Sequence, residues 1–131
     1  MGTFHVAVWI DHNEAKVYHL DEESFTETTL RAPKHHVHKH PKGTAWEKSH
    51  PADLVKYFHG VAEALTDAGE ILIVGPANAK LEFMRHVREH HPAMEKKVVG
   101  IETADHPTDG EMVKHARAYF KAADRMAGLT P

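Results

Sequence analysis

The 131-residue chain contains no cysteine and no glutamine. Without cysteine there are no disulfides, no thiolate metal ligands and no cysteine nucleophile. No apolar run approaches the ~20 residues that a bilayer-spanning helix requires, so no membrane partner is expected. The glycine signatures of nucleotide chemistry are missing as well. Neither GxGxxG nor GxxxxGK[ST] occurs, and no Gly-x-Ser-x-Gly marks a serine nucleophile. No cofactor is expected. The opening MGTFHVAVWIDH lacks a charged n-region and a small-residue cleavage site, which argues against a signal peptide and for a cytoplasmic setting.

What is present reads as one soluble domain over residues 1–131. Hydrophobic content of 41% and charged content of 27% are ordinary for a globular protein of this size. Charge, however, is segregated. Residues 31–50, RAPKHHVHKHPKGTAWEKSH, carry five basic side chains (Arg31, Lys34, Lys39, Lys42, Lys48) against the single acid Glu47, a formal charge of +4. The remainder holds 11 basic and 18 acidic side chains, leaving the whole chain at −3. Five of the 14 histidines lie in the same window. Scattered histidines such as His5, His19, His59 and His115 read as surface or strand-face residues without a role. Imidazoles titrate near ~6.5, so mild acidification carries the chain from net negative to net positive.

Phe4 to Ile10 is aromatic and β-branched and predicts a strand. Turn residues at 11–13 and 21–23 separate it from two further strands, Ala15 to Leu20 and Phe25 to Leu30, so an antiparallel meander is expected. Beyond the basic segment the period changes. Pro51 suits a first helical position, and Leu54, Val55, Phe58, Ala62 and Leu65 mark a core face ended by Gly69. Ile71 to Val74 predicts a strand buried on both faces. A helix from about 78 to 91 stops before Pro92, with Leu81, Met84 and Val87 inside and Phe83 beside them. Lys97 to Ile101 is a fifth strand. Thr108 and Glu111 form a capping box that opens a last helix, its inner face Met112, Val113, Ala116, Phe120 and Ala123. The order βββ-α-β-α-β-α predicts an α/β fold, a mixed five-stranded sheet with helices packed on it.

Three constellations bear chemistry. The segment KHHVHKHPKG has too little apolar content to form a core and is expected to be exposed. Its lysines suit phosphate contacts, and Trp46 either stacks on an unpaired base or tucks under the segment as a core cover. The same histidines offer an alternative: His35, His36, His38 and His40 as ligands for Zn, Ni or Cu in a metal- or pH-responsive protein. The second constellation is the strand-to-helix turn GPANAK. Its free amides at a helix N-terminus, with Gly75 at the turn and Lys80 nearby, suit an anion. The third is the carboxylates Asp11, Glu102, Asp105 and Asp109, placed near strand ends where Mg²⁺-dependent hydrolysis would need them. Their spacing follows no paired-acid motif, and turn and capping roles account for Asp11 and Asp109. Catalysis is not expected.

With this order in place, ILIVGPANAKLEF (residues 71–83) resembles the middle domain of the archaeal and eukaryotic peptide-chain release factors and of Pelota. IETADHPTDGEMVKHARAYF (residues 101–120) is similar to the small bacterial translational machinery proteins built from this domain alone. The resemblance implies a ribonuclease H-like fold. It also implies that the connection between meander and first helix, residues 32–50 here, is where release factors carry Gly-Gly-Gln. That motif is absent, so the resemblance does not extend to peptide release. The expected function is non-enzymatic and translation-associated. The expected partner is the ribosome or structured RNA, rRNA or tRNA, held through Lys34, His35, His36, His38, Lys39, His40, Lys42 and Trp46.

Overall fold

Side chains alternate across a strand, so the first strand directs Val6, Val8 and Ile10 to one face and Ala7 and Trp9 to the other. All five are buried. Such a strand has to be covered on both sides. The computed structural model, which describes residues 4–33 and 51–126, shows how. Strand β1 (His5–Ile10) lies at the centre of a five-stranded sheet of order β3-β2-β1-β4-β5. It pairs antiparallel with β2 (Glu14–Leu20), which pairs antiparallel with β3 (Phe25–Arg31). On its other side it pairs parallel with β4 (Glu70–Gly75), which pairs parallel with β5 (Val98–Thr103). The sheet is mixed, and the meander has the expected connectivity.

Helices α1 (Pro51–Ala64) and α2 (Ala79–His90) cover the Val6–Val8–Ile10 face, joined by Met94 of the short helix α3 (Pro92–Glu95). Helix α4 (Asp109–Met126) covers the Ala7–Trp9 face with Met112, Val113, Ala116 and Phe120. Val17 and Tyr18 of β2 divide between the two cores in the same way. Ile71, Leu72, Ile73 and Val74 of β4 are all buried, as an uninterrupted apolar strand between two helical layers requires. Strand β3 forms an edge and is exposed along nearly its whole length.

Polar side chains fix the turns. Asp11 Oδ1 accepts the backbone N–H groups of Asn13 and Glu14, both at 2.8 Å, closing the β1–β2 hairpin. The capping box forms as expected, with the Glu111 amide donating to Thr108 Oγ1 and the Thr108 amide to Glu111 Oε1. Arg117 reaches from α4 to the carbonyls of Asp21, Glu22 and Ser24 and clamps the β2–β3 turn.

Several expectations need correction. Val55 and Leu81 are 47% and 54% exposed, and Tyr57 and Val61 take up the core positions on α1. A helical step of 100° places a residue one position away from the seam on its shoulder, in water. Helix α1 ends at Ala64, before the expected Gly69. Pro92 does not merely stop a helix. It opens α3, because proline at a first helical position gives up an N–H that has no partner there.

Candidate functional site

The eight residues expected to bind RNA (Lys34, His35, His36, His38, Lys39, His40, Lys42 and Trp46) lie outside the described residues. The elements on either side of them are described. Strands β1, β3, β4 and β5 run in one direction, so Ile10, Arg31, Gly75 and Thr103 end at the same edge of the sheet. At this edge Arg31 pairs with Glu14 at 3.1 Å, and the Ala32 amide donates to the Asn13 carbonyl at 2.8 Å. Tyr57 of α1 donates to the Asp11 carbonyl at 2.9 Å. Both flanks of the basic segment are thus tied to one hairpin turn, at the strand ends where open α/β sheets usually hold ligands. Burial, and then the Asp11 carboxylate, raise the Tyr57 hydroxyl pKa, so it donates at any physiological pH.

The turn between β4 and α2 stands at the same edge. A Cβ on Gly75 would lie 2.2 Å from the Ile10 carbonyl oxygen, so glycine is there for close approach of two parallel strands. Lys80 is buried, and its ammonium donates to the Ala77 carbonyl within its own turn. The amides of Leu81 and Glu82 donate to the Asn78 carbonyl. Glu82 supplies a carboxylate in the first helical turn, 3.1 Å from His12. The turn satisfies its lysine internally and brings its own negative charge to the helix dipole.

The strand-end carboxylates are held apart by separate partners. Asp109 accepts from Tyr18 at 2.7 Å, and burial followed by that carboxylate raises the Tyr18 pKa. Asp11 holds its turn, and His106 contacts both Asp105 (3.1 Å) and Asp11 (3.9 Å). Trp9 donates its indole N–H to the Asp105 carbonyl at 2.8 Å, fixing the loop between β5 and α4. Glu102 pairs with His115 beside a cavity of about 460 Å³, lined also by Thr103, Pro107 and Glu111. Among the described residues, the metal-capable groups do not include these four acids.

The metal-capable groups lie elsewhere. His5 sits between Glu70 (3.1 Å) and Asp124 (3.0 Å), tying the end of α4 to the sheet. Burial, and then Asp124, raise the Glu70 pKa. His59 of α1 meets His86 of α2 and His91, which follows α2, with one nitrogen of each ring within 4.8 Å of the others. His59 and His91 stack with centroids 5.2 Å apart, and His86 contacts the Phe58 ring at 5.9 Å. The Nε2 atoms of His86 and His91 are buried with no hydrogen-bond partner among the described residues. Leaving such an atom unpaired costs roughly 1–3 kcal/mol. Burial, and then the His90 and His91 charges, hold His86 near a pKa of about 4, while burial and then His59 lower His91. His5 and His115, read in the sequence as without a role, each contact carboxylates, and His59 lies in this cluster. Helical periodicity gives one clue: His86 and His90 share a face of α2, but their meeting with His59 is tertiary.

No family model matches the sequence, and no curated protein does so. Solved structures do match. The fold is similar to that of Pelota from Archaeoglobus fulgidus, with a TM-score of 0.65 and 17% identity over 98% of this chain and 34% of that one. Pelota from Thermoplasma acidophilum gives a TM-score of 0.60 and 19% identity over 88% of this chain and 32% of that one. An archaeal translation termination factor gives 0.59 and 14% over 95% and 39%. The chain therefore spans between 32% and 39% of the length of these structures. The class these likenesses define is an α/β domain with the fold found in Pelota and termination factors. The resemblance seen in residues 71–83 and 101–120 extends to the whole described fold.

Proposed function

We propose that this protein acts in translation without catalysing peptide release, binding the ribosome or another structured RNA through residues 31–50. The observation that supports this most is the fold, shared over 98% of the chain with a Pelota structure. Charge supports the same reading. The body outside residues 31–50 is net acidic and repels phosphate, so an RNA contact falls to the +4 segment. Arg31 is engaged with Glu14, which leaves Lys34, Lys39 and Lys42, with the adjacent histidines and Trp46, to face the nucleic acid. The absence of Gly-Gly-Gln and the separate partners of the strand-end carboxylates favour binding over hydrolysis.

Co-sedimentation with ribosomes at physiological salt tests the proposal. The wild-type chain is expected to pellet with ribosomes, and each neutralised phosphate contact should steepen the loss of binding with salt. Replacing Lys34, Lys39 and Lys42 by glutamate should release the protein. Binding that ignores this triple reversal, or none even at low salt, refutes the reading. Mg²⁺-stimulated RNA cleavage that depends on Asp11 would refute its non-enzymatic part.

A further inference from the structure

We propose that His59, His86 and His91 form a binding site for a divalent first-row transition ion, with Zn²⁺ as the test case. None of the three belongs to residues 31–50, and the proposal does not rest on the translation reading. Three imidazole nitrogens already lie within 4.8 Å of one another. Zn–N bonds of ~2.0–2.1 Å in a tetrahedral site bring ligand nitrogens to about 3.4 Å apart. The three rings must therefore close by only about an ångström or so. His59 has room for that movement, since over half of its side chain is exposed. His86 is the fixed member, buried against Phe58.

Two of the three rings carry a buried nitrogen with no hydrogen-bond partner among the described residues. These are the Nε2 atoms of His86 and His91, which a metal would satisfy at once. Glu63 stands 3.6 Å from His59 Nε2, the carboxylate neighbour that metal-ligating histidines commonly have.

The surroundings choose the ligand class. The cluster sits at the C-terminal end of α2, where His91 caps the helix through its amide to the Val87 carbonyl. That end of a helix is partially negative and favours a cation over an anion. An all-imidazole set is wrong for the oxygen-seeking Mg²⁺ and Ca²⁺, and without thiolates it is wrong for Cu(I). Zn²⁺, Ni²⁺ and Co²⁺ fit. Three protein ligands leave a fourth position, which falls to water or to exposed His90, whose ring lies 4.6 Å from that of His86.

The histidines at 35, 36, 38 and 40 would confuse a titration, so the test uses the full chain carrying all four as alanine. After chelator treatment, calorimetric titration with Zn²⁺ should show one ion bound with a micromolar or tighter dissociation constant. His59→Ala in that background removes an exposed side chain and leaves the core intact. It should weaken binding at least about tenfold, the least that loss of a metal-site group usually costs. His86→Asn and His91→Asn, checked for folding by circular dichroism, should do the same. Co²⁺ should give the visible absorption of four-coordinate nitrogen ligation, lost with His59→Ala. Failure of the loop-substituted chain to bind Zn²⁺ overturns the proposal, as does unchanged affinity after His59→Ala. The Lys34, Lys39 and Lys42 glutamate variant should bind Zn²⁺ normally, which keeps this result distinct from any failure of RNA binding.

Discussion

His86 carries its packing into the pH dependence of stability. Burial, with neighbouring imidazoles, lowers its pKa from 6.5 to about 4, so the folded chain resists a proton that the unfolded chain accepts. The stabilising contribution is complete above the unfolded value and is lost as pH falls from about 6.5 towards 4. Its ceiling is about 3 kcal/mol. Urea unfolding of chelator-treated protein should show a midpoint that falls across this window, with a flatter profile in His86→Gln. Thr108 offers a simpler case. Its hydroxyl accepts the Glu111 amide, and Glu111 answers with its carboxylate, which lowers the Glu111 pKa. Thr108→Ala should cost about 1 kcal/mol in the same assay. The answering half of that cap is present above the ordinary glutamate range and fades as Glu111 protonates. Thr108 and Glu111 were legible because a capping box is local, three residues apart. His59 was not, because the histidines it meets lie outside its own helix and no local pattern announces them.

At the scale of elements, the strands show how far pattern carries. β1, β2 and β4 follow from β-branched, alternating and all-apolar runs, and β4 is buried on both faces as expected. Helix faces are less secure: Val55 and Leu81 are apolar yet sit off the seam, and hydrophobicity alone cannot separate a seam from its shoulder. Helix α3 escaped notice because four residues are too few to show a period. Strands β1 and β4 approach closely at Gly75. Gly75→Ala should force a Cβ onto the Ile10 carbonyl and destabilise by about 1–3 kcal/mol, seen as a lower urea midpoint. Phe83→Ala empties the core between α1 and α2 and should cost about 3–5 kcal/mol. Val55→Ser, by contrast, should change little.

The described fold is a three-layer unit; the segregation of charge along the chain was readable in the sequence, and the histidine cluster was not. Segregation of basic residues into 31–50 is a property of sequence alone, whereas the cluster needs α1 and α2 brought side by side on one face of the sheet. The sheet order also has a kinetic consequence. Strands β1, β2 and β3 are joined by short turns and can pair as soon as they are made, but β4 must find β1 from far away: His5 and Glu70, paired in register, are 65 residues apart. Closing so long a connection costs conformational entropy before any contact repays it, although each doubling of loop length adds only about 0.6 kcal/mol. The parallel pairing of β4 with β1 is therefore the step of sheet assembly that carries the greatest loop-closure cost. Because that cost grows only slowly with length, the separation of β1 from β4 in sequence weighs less on stability than on the order in which the sheet can form.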